Sequence, residues 1–292
     1  MSEFWNKNIL RQVKIVFDHA HKHGYRATIE EIKKRIKNIY YPDIIFDIQE
    51  SEYFSNLNFV FEKHHINLVF PKFLEEKQYT CIISIFEEIF NRQIYKNLDW
   101  DRILDIWGYY GESAIYLHTT NPDANIYVYE AQKTCFEYIK TNCDHDNIYC
   151  YNNIVTWNWN RQDLWIADDW LCDAKAAQNN GYISSDFSYP EAIDIQTIIQ
   201  NHDPDCIKID IEWWEYNIVN DFTKIPKLLQ NINNGIIEFH DLHDLSKVDI
   251  FLNFGKLLSK LWYKYKYINS KSDYIDLNQV MKDWIVNLYF YR

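Results

Sequence analysis

The chain has 292 residues, a formal net charge of -12 and 47% apolar residues, with 17% aromatic. This composition can fill a large core, which excludes a disordered protein, and the acidic balance argues against nucleic acid as the main partner. The sequence has no apolar run of about 18 residues, and residues 1–10 are polar and unlike a secretory leader. We therefore expect a cytoplasmic protein that does not enter a membrane.

The first third of the chain predicts mainly helices. Apolar side chains recur at helical spacing over 3–22, Thr28 and Glu31 form a capping box before a second helix at 30–41, and 73–97 predict a third. Residues 43–72 are mixed, with short strand-like runs. We therefore define 1–95 as a helical N-terminal extension and 96–292 as a second domain.

Histidines in this extension could be metal ligands. They occur as His64–His65 and as a series at His19, His21 and His23. Helical residues two apart face different directions, and the sequence shows no closed set of four ligands. Solvated histidines are the better interpretation. The six cysteines form no CxxC pair, which favours reduced core thiols over a zinc site or disulfides.

From residue 101 onward, strands alternate with helices, which predicts a parallel sheet covered on both faces. The strands are expected at 103–106, 126–130, 147–155, 205–212 and 235–241. The helix after the first strand is expected to begin near Glu112, and the later helices lie at 134–142, 191–201, 214–232 and 244–261. Pro226 marks a bend or break in the fourth helix. Residues 262–270 and 284–292 predict an antiparallel pair of strands at the sheet edge.

The opening strand, turn, helix and strand form a nucleotide-binding pattern. Gly108 and Gly111 bracket the turn after the first strand, where a residue without a side chain lets the backbone approach a ligand closely. Glu130 ends the second strand about 20 residues later, at the place where this architecture puts an acid that grips the ribose hydroxyls.

Four segments together resemble the FkbM-type class I methyltransferases, which use S-adenosylmethionine. They are ILDIWGYYGES, IYVYEA, CIKIDIEWWEY and GIIEFHD, in this order and spacing, and the likeness covers about residues 80–292. Three positions of the first motif depart from the family, because Trp107 replaces its first Gly, Gly108 its Ala and Tyr109 its Asn. In the later motifs Ala131 replaces a Pro and Trp213 a Gly.

The resemblance implies a Rossmann-like, seven-stranded sheet, mostly parallel with an antiparallel last strand, in the order 3-2-1-4-5-7-6. It implies S-adenosylmethionine as the cofactor and a hydroxyl of a sugar or other small molecule as the methyl acceptor. Its cofactor-binding residues are expected to be Asp105, Gly108, Gly111, Ser113, Glu130 and Asn153. The oligomeric state stays open.

The fourth strand independently points to a site. Lys208, Asp210 and Glu212 alternate with isoleucines, so three charged residues share one face of a strand that should be buried. Ligands of open α/β sheets bind outside the carboxyl ends of the strands. His240 lies at the matching end of strand five, and we predict Asp210, Glu212 and His240 as one catalytic cleft.

A simpler alternative is an internal Lys208–Asp210 pair with Glu212 solvated. A divalent cation could also bind between these acids, His240 and His243. Two histidines three apart in a loop are more often hydrogen-bonded structure, so we expect no metal.

The tryptophan-rich segment 156–190 interrupts the alternation of strands and helices. Trp157, Trp159, Trp165 and Trp170 could form an aromatic wall for a substrate, or a satellite core under a long loop. An insertion at this place lies over the cofactor edge, where a lid belongs.

Two functions are compatible with these observations. One is an active O-methyltransferase in which His240 or a carboxylate deprotonates the acceptor. The other is a binding or scaffold protein that kept the fold and lost the cofactor, as Trp107 and Tyr109 would allow. If the Trp107 indole packs beneath the helix at Glu112, Gly108 can make the close approach instead.

Overall fold

A computed structural model describes residues 47–50, 54–71, 82, 84–98, 100–156, 165–167, 176–177, 187–188, 190–211, 214–269, 274–280 and 282–292. The chain separates into two compact units, Met1–Ser84 and Ile85–Arg292. This division lies before residue 95, and the domain limits given from sequence stay a prediction.

The described strands of the first unit form a three-stranded antiparallel sheet, which agrees with the strand-like runs predicted within 43–72. Its strands are β1 (Asp47–Glu50), β2 (Phe54–Phe61) and β3 (His64–Pro71), in the order β1-β2-β3. In β3 the buried residues Ile66, Leu68 and Phe70 alternate with more exposed ones, while His64 and His65 are exposed. The two leading helices predicted over 3–22 and 30–41 lie outside the described residues.

The second unit contains a large sheet, two small sheets and helices. Its strands are β4 (Arg102–Ile106), β5 (Asn125–Tyr129), β6 (Ile148–Tyr151), β7 (Asn153–Thr156), β8 (Trp165–Ala167), β9 (Ala176–Ala177), β10 (Phe187–Ser188), β11 (Glu191–Asp194), β12 (Cys206–Ile209), β13 (Asn234–His240), β14 (Lys264–Asn269), β15 (Tyr274–Ile275) and β16 (Ile285–Tyr291).

Its helices are a short π-helix (Glu87–Asn91), α1 (Glu112–Thr120), α2 (Lys133–Asn142), α3 (Ile195–His202), α4 (Glu215–Lys224), a 3-10 turn (Pro226–Leu229), α5 (Leu245–Lys260) and α6 (Leu277–Val280). None of the helices within the described residues is long and apolar enough to cross a bilayer.

The large sheet has the strand order β15-β14-β16-β13-β12-β4-β5-β6. Neighbouring strands from β6 to β13 run parallel, while β16 is antiparallel to both β13 and β14. Without the two-residue edge strand β15, this is the predicted order 3-2-1-4-5-7-6 with an antiparallel seventh strand. The predicted α/β fold is confirmed.

The central strands are buried on both faces, as expected for parallel strands covered by helices. Every residue of β12 is buried, including the charged side chain of Lys208. The carboxyl ends of β4, β12 and β13 lie side by side because these strands are neighbours in the sheet. This edge of the sheet brings the site together.

The structure corrects the third strand and the helix at 191–201. Residues 147–155 do not form one strand: β6 stays in the large sheet, while β7 leaves it and pairs in parallel with β11. Residues 191–194 are therefore strand, and α3 begins only at Ile195, where the Asp194 side chain caps the helix by accepting from the N–H of Gln196.

Other expectations are confirmed. The predicted break at Pro226 separates α4 from the 3-10 turn, and the helix predicted at 244–261 is α5, in which the structure shows Asp244 as the N-cap. The last two long strands, β14 and β16, pair in antiparallel fashion. Most of the tryptophan-rich segment lies outside the described residues, so its proposed roles as an aromatic wall or a lid stay predictions.

Candidate active site

The turn between β4 and α1 has an unusual backbone for its residues. Trp107 (φ 75°) and Tyr109 (φ 49°) lie in the left-handed region, and so does Gly111 (φ 99°) just before the helix. That region disfavours residues with a Cβ by roughly 1–2 kcal/mol. Trp107 therefore adopts a conformation that the glycine of the family motif would adopt without this cost.

The backbone N–H groups of the turn are all used within the protein. Those of Trp107 and Gly108 both donate to the carbonyl oxygen of Tyr129, at 2.8 and 3.2 Å, and that of Gly111 donates to Gly108. The N–H of Tyr109 donates to the Glu130 carboxylate at 2.8 Å, and that of Tyr110 to the Glu112 carboxylate at 3.1 Å. A ligand at this turn would thus meet carbonyl oxygens and side chains.

Gly108 is tightly surrounded by neighbouring side chains, and its expected role in approaching a ligand stays a prediction. A Cβ on Gly108 would lie 2.3 Å from the Val128 side chain and 3.1 Å from that of Ile139. The space that this glycine leaves free is filled by β5 and α2. A Cβ on Gly111 would likewise lie 2.7 Å from the sulfur of Cys143.

The Trp107 indole is half-buried at the carboxyl edge of the sheet. It packs against the cluster formed by Ala131 and Ile154, which Trp214 also contacts. These residues follow β5, lie in β7 and precede α4. The indole thus lies on the side of the turn where the predicted ribose acid, Glu130, follows its strand, and it also packs against the main core of the sheet. Its expected place beneath α1 stays a prediction.

Glu130 is buried, and both of its carboxylate oxygens accept hydrogen bonds from the backbone. One accepts from Tyr109 at 2.8 Å and the other from Gln132 at 2.7 Å. Burial raises the pKa of Glu130 to about 8, which these two bonds oppose. Glu130 therefore fixes the turn to the end of β5, and its role in ribose binding stays a prediction.

Two asparagines follow β6 with different partners. Asn153, the predicted cofactor residue, donates its side-chain N–H to the carbonyl oxygen of Glu191 at 3.1 Å, within the β7–β11 pair. Its neighbour Asn152 donates to the carbonyl oxygens of Glu130 and Ala131 at 2.9 and 3.2 Å. Asn152 thus contacts the chain that follows β5 at Glu130, which the sequence spacing did not reveal.

Beneath the turn lies a buried group of charges. The Lys208 ammonium is 3.1 Å from the Asp105 carboxylate, which also accepts from the Ser113 hydroxyl at 2.5 Å. Burial raises the pKa of Asp105, against the opposing effects of Lys208 and Ser113. Burial lowers the pKa of Lys208, but the carboxylates of Asp105 and Asp210 have the larger effect. The pKa of Lys208 is therefore raised overall. Lys208 is therefore charged, and its ammonium group lies near both carboxylates.

The predicted convergence of Asp210 and His240 is observed. Asp210 directly follows β12, and His240 ends β13. Donor atoms of Asp210, Glu238 and His240 all lie within 4.8 Å of one another. Glu212, the third predicted catalytic residue, lies outside the described residues, so its role stays a prediction.

His240 is held between two carboxylates. Its Nδ1 lies 3.3 Å from Glu215, which is fully buried, and its Nε2 lies 3.3 Å from Glu238. Burial lowers the pKa of His240, but the hydrogen bonds to Glu215 and Glu238 outweigh it and raise the pKa to about 12. Because both carboxylate partners stabilise the charged ring, His240 is an imidazolium and a poor general base.

The sequence did not point to Glu88 and Tyr95, which complete this cluster. Burial and the nearby carboxylates of Glu238 and Asp210 raise the pKa of Glu88 well above its ordinary value. The Tyr95 ring lies beneath the Lys208 ammonium, 6.0 Å from its centroid. A usable signal is the acidic pair Glu87 and Glu88 between the apolar pairs 85–86 and 89–90.

The strand order, with its antiparallel seventh strand and its site at the carboxyl edge, defines a class I methyltransferase fold. No family model and no curated protein matches the chain.

Solved structures similar to the chain include TYW2 from P. horikoshii in complex with MeSAdo, with 12% identity, a TM-score of 0.41, and coverage of 83% of this chain and 72% of that one. TYW2 from M. jannaschii in complex with AdoMet has 11% identity, a TM-score of 0.41 and coverages of 85% and 93%. An O-methyltransferase from Bacillus cereus in complex with SAH has 11% identity, a TM-score of 0.40 and coverages of 76% and 93%. The fold class rests on the strand order of the sheet.

Proposed function

We propose that the second unit is an S-adenosylmethionine-dependent methyltransferase of the FkbM type that methylates a hydroxyl group of a sugar or another small molecule in the cytoplasm. The observation that supports this most is the link made by Lys208. Its ammonium donates to the Trp107 carbonyl at 2.7 Å and lies 3.8 Å from Asp210. One side chain thus joins the turn proposed for the cofactor to the cluster proposed for the acceptor.

The acidic groups around the turn suit the proposed cofactor. S-adenosylmethionine has a positive sulfonium and a positive ammonium group, and three buried carboxyl groups lie beneath or beside the turn: Asp105, Glu112 and Glu130. A bound cation would favour their ionised forms. One oxygen of Glu112 is buried without a hydrogen-bond partner. An unpaired buried acceptor is costly, so a cationic ligand would be favoured here. When bound, the cofactor supplies an electrophilic methyl group.

Asp210 is the best-placed proton acceptor of the cluster. Its side chain is 27% exposed, so an acceptor hydroxyl can reach it, while the imidazolium of His240 has no free electron pair for a proton. Burial and the Glu238 carboxylate raise the pKa of Asp210, which makes it a stronger base than an ordinary aspartate. The main contribution of the site is to hold the hydroxyl oxygen in line with the methyl group.

A second candidate is a binding protein that kept the fold without catalysis. Two observations favour it: the N–H groups of the turn are all used internally, and the Trp107 indole packs at the edge where the nucleoside would lie.

Calorimetric titration with S-adenosylhomocysteine separates the two candidates. Saturable binding of one molecule per chain supports the methyltransferase, and Asp210→Asn should then abolish methyl transfer with unchanged cofactor affinity. A folded protein that shows no binding overturns the proposal in favour of the second candidate.

A further inference from the structure

We infer that Asp210, Glu238 and His240 form a binding site for a divalent transition-metal cation at the carboxyl ends of β12 and β13. Their donor atoms all lie within 4.8 Å of one another, close enough to bind one ion with small side-chain movements. Glu238 and His240 are two residues apart in β13, so their side chains leave the same face of the strand. The set lies at the carboxyl ends of two neighbouring strands.

The first argument is the balance of charge. Among the described residues at this cluster, the carboxylates of Asp210, Glu215 and Glu238 surround His240, with Asp105 below. Glu88 is also near, but burial and these acids raise its pKa and favour its neutral form, so it is not counted as a charge. Lys208 lies beside Asp210 and is shared with Asp105. Arg92 faces the cluster from the π-helix, but it is paired with Glu87 at 3.3 Å. The carboxylates therefore outnumber the cations, and a divalent ion would restore the balance.

The second argument is the carboxylate that orients the His240 ring. Histidines that bind metals usually donate the N–H of their other nitrogen to a carboxylate, which fixes the ring and its tautomer. Glu215 takes this position at Nδ1 and also accepts from the His240 backbone N–H at 2.7 Å. Its second oxygen is buried without a hydrogen-bond partner. The Nε2 atom is thereby directed at Glu238, where the ion would replace its proton.

The ligand set indicates the class of metal. One imidazole and two carboxylates suit Mn²⁺, Fe²⁺ or Zn²⁺ better than Ca²⁺, which prefers six to eight oxygens. Three protein ligands leave coordination positions for water or a substrate oxygen. The exposed fractions of the Asp210 and Glu238 side chains, 27% and 12%, give these positions access to solvent.

The cation would also refine the role of Asp210. A hydroxyl bound to the ion loses its proton more readily than a free one. Asp210 would then act on the acceptor through the metal. This link rests on the proposed function, whereas the cation site itself can be measured without cofactor or acceptor.

The test is binding of Mn²⁺ to the metal-stripped full chain, followed by the electron paramagnetic resonance signal of free Mn²⁺. Asp210→Asn and Glu238→Gln keep size and shape and remove one charge each. The matched control is Asp241→Asn, next to His240: Asp241 is paired with Lys247 at 3.1 Å, and its φ of 58° is one that asparagine tolerates. Circular dichroism verifies that each variant is folded.

We expect one Mn²⁺ per chain, an affinity lowered more than about tenfold in Asp210→Asn and Glu238→Gln, and an affinity within about twofold of wild type in Asp241→Asn. Glu215→Gln, a positioning variant, should lower the affinity by about tenfold in a folded protein. No saturable binding to the wild type, or equal weakening in Asp210→Asn and Asp241→Asn, overturns the inference. Mn²⁺ binding without binding of S-adenosylhomocysteine would keep the cation site and reject the methyltransferase.

Discussion

The ammonium group of Lys208 donates a hydrogen bond to the backbone carbonyl oxygen of Trp107 over 2.7 Å. Lys208 lies in β12 and Trp107 follows β4, so the bond joins two neighbouring strands at the edge where the site lies. The same ammonium lies 3.1 Å from the Asp105 carboxylate. Lys208 therefore fixes the carbonyl of a turn residue that has an unfavourable φ and also neutralises a buried acid.

Replacing Lys208 with methionine should destabilise the fold by about 3–5 kcal/mol, because it leaves the Asp105 carboxylate buried without its partner. Lys224→Met is the control, since Lys224 is 62% exposed and pairs with Asp221 at 3.8 Å. Its cost should stay below about 1 kcal/mol. Urea denaturation of both variants measures the difference. Equal losses of stability would show that Lys208 stabilises the fold no more than an exposed lysine does.

The sequence was sufficient to predict the strand order of the large sheet and the proximity of two site residues, Asp210 and His240. Alternation of Lys208 and Asp210 with isoleucines is a local pattern, and the strand order brings Asp210 beside the end of β13. Glu88 joins the same cluster from a segment before β4, and its approach depends on how that segment packs. No spacing in the sequence contains this information.

The pairing of β7 with β11 was missed for a related reason. Residues 147–155 are one continuous strand-like run, and only contact with 191–194 shows where it divides. Local propensity cannot specify a partner that follows such a long intervening segment. The consequence for the site is that Asn152, at the division, contacts the chain beside Glu130.

The raised pKa of Glu130 predicts a pH dependence of stability. Burial raises this pKa to about 8 in the folded protein, above the ordinary value near 4.5. The folded state therefore binds the proton more tightly than the unfolded state. The free energy of unfolding should be highest below the ordinary pKa and fall as the pH rises through 8, by up to about 1.4 kcal/mol per pH unit.

Glu130→Gln should flatten this slope, because glutamine stays neutral and still offers an oxygen to the backbone N–H of Tyr109 or Gln132. Glu112, whose pKa burial also raises to about 8, keeps its own share of the slope. Glu137→Gln is the control, since the Glu137 side chain is 54% exposed. Denaturation curves at several pH values measure the slopes. The same slope in wild type and Glu130→Gln would contradict a neutral Glu130.

Asn152 and Asn153 give a matched pair of neighbouring side chains. Asn152→Ala removes the bonds to the carbonyl oxygens of Glu130 and Ala131 and should cost about 1–3 kcal/mol of stability and weaken cofactor binding. Asn153→Ala removes a more exposed bond to Glu191 and should cost less than about 1 kcal/mol. Thermal unfolding and calorimetric titration measure both. A larger effect on cofactor binding in Asn153→Ala would restore Asn153 as the cofactor residue.

Trp107→Gly decides whether the indole closes the cofactor edge. Glycine adopts the φ of 75° at this position without strain, which returns roughly 1–2 kcal/mol, while removing the packing on Ala131 and Ile154 costs more for a large side chain. We expect a net loss of about 1–3 kcal/mol of stability.

Affinity for S-adenosylmethionine gives the second measurement on the same variant. An enzyme whose pocket accommodates the indole should bind the cofactor in the wild type, and its affinity should rise no more than about twofold in Trp107→Gly.

The control is Trp214→Ala, which truncates another indole on the Ala131–Ile154 cluster at an ordinary φ of -102°. If Trp214→Ala lowers stability without changing cofactor affinity, then a cavity at this cluster does not by itself create a cofactor site. Binding that occurs in Trp107→Gly and is absent from both the wild type and Trp214→Ala would mean that the indole occupies the nucleoside position, and the active-enzyme proposal would then be wrong.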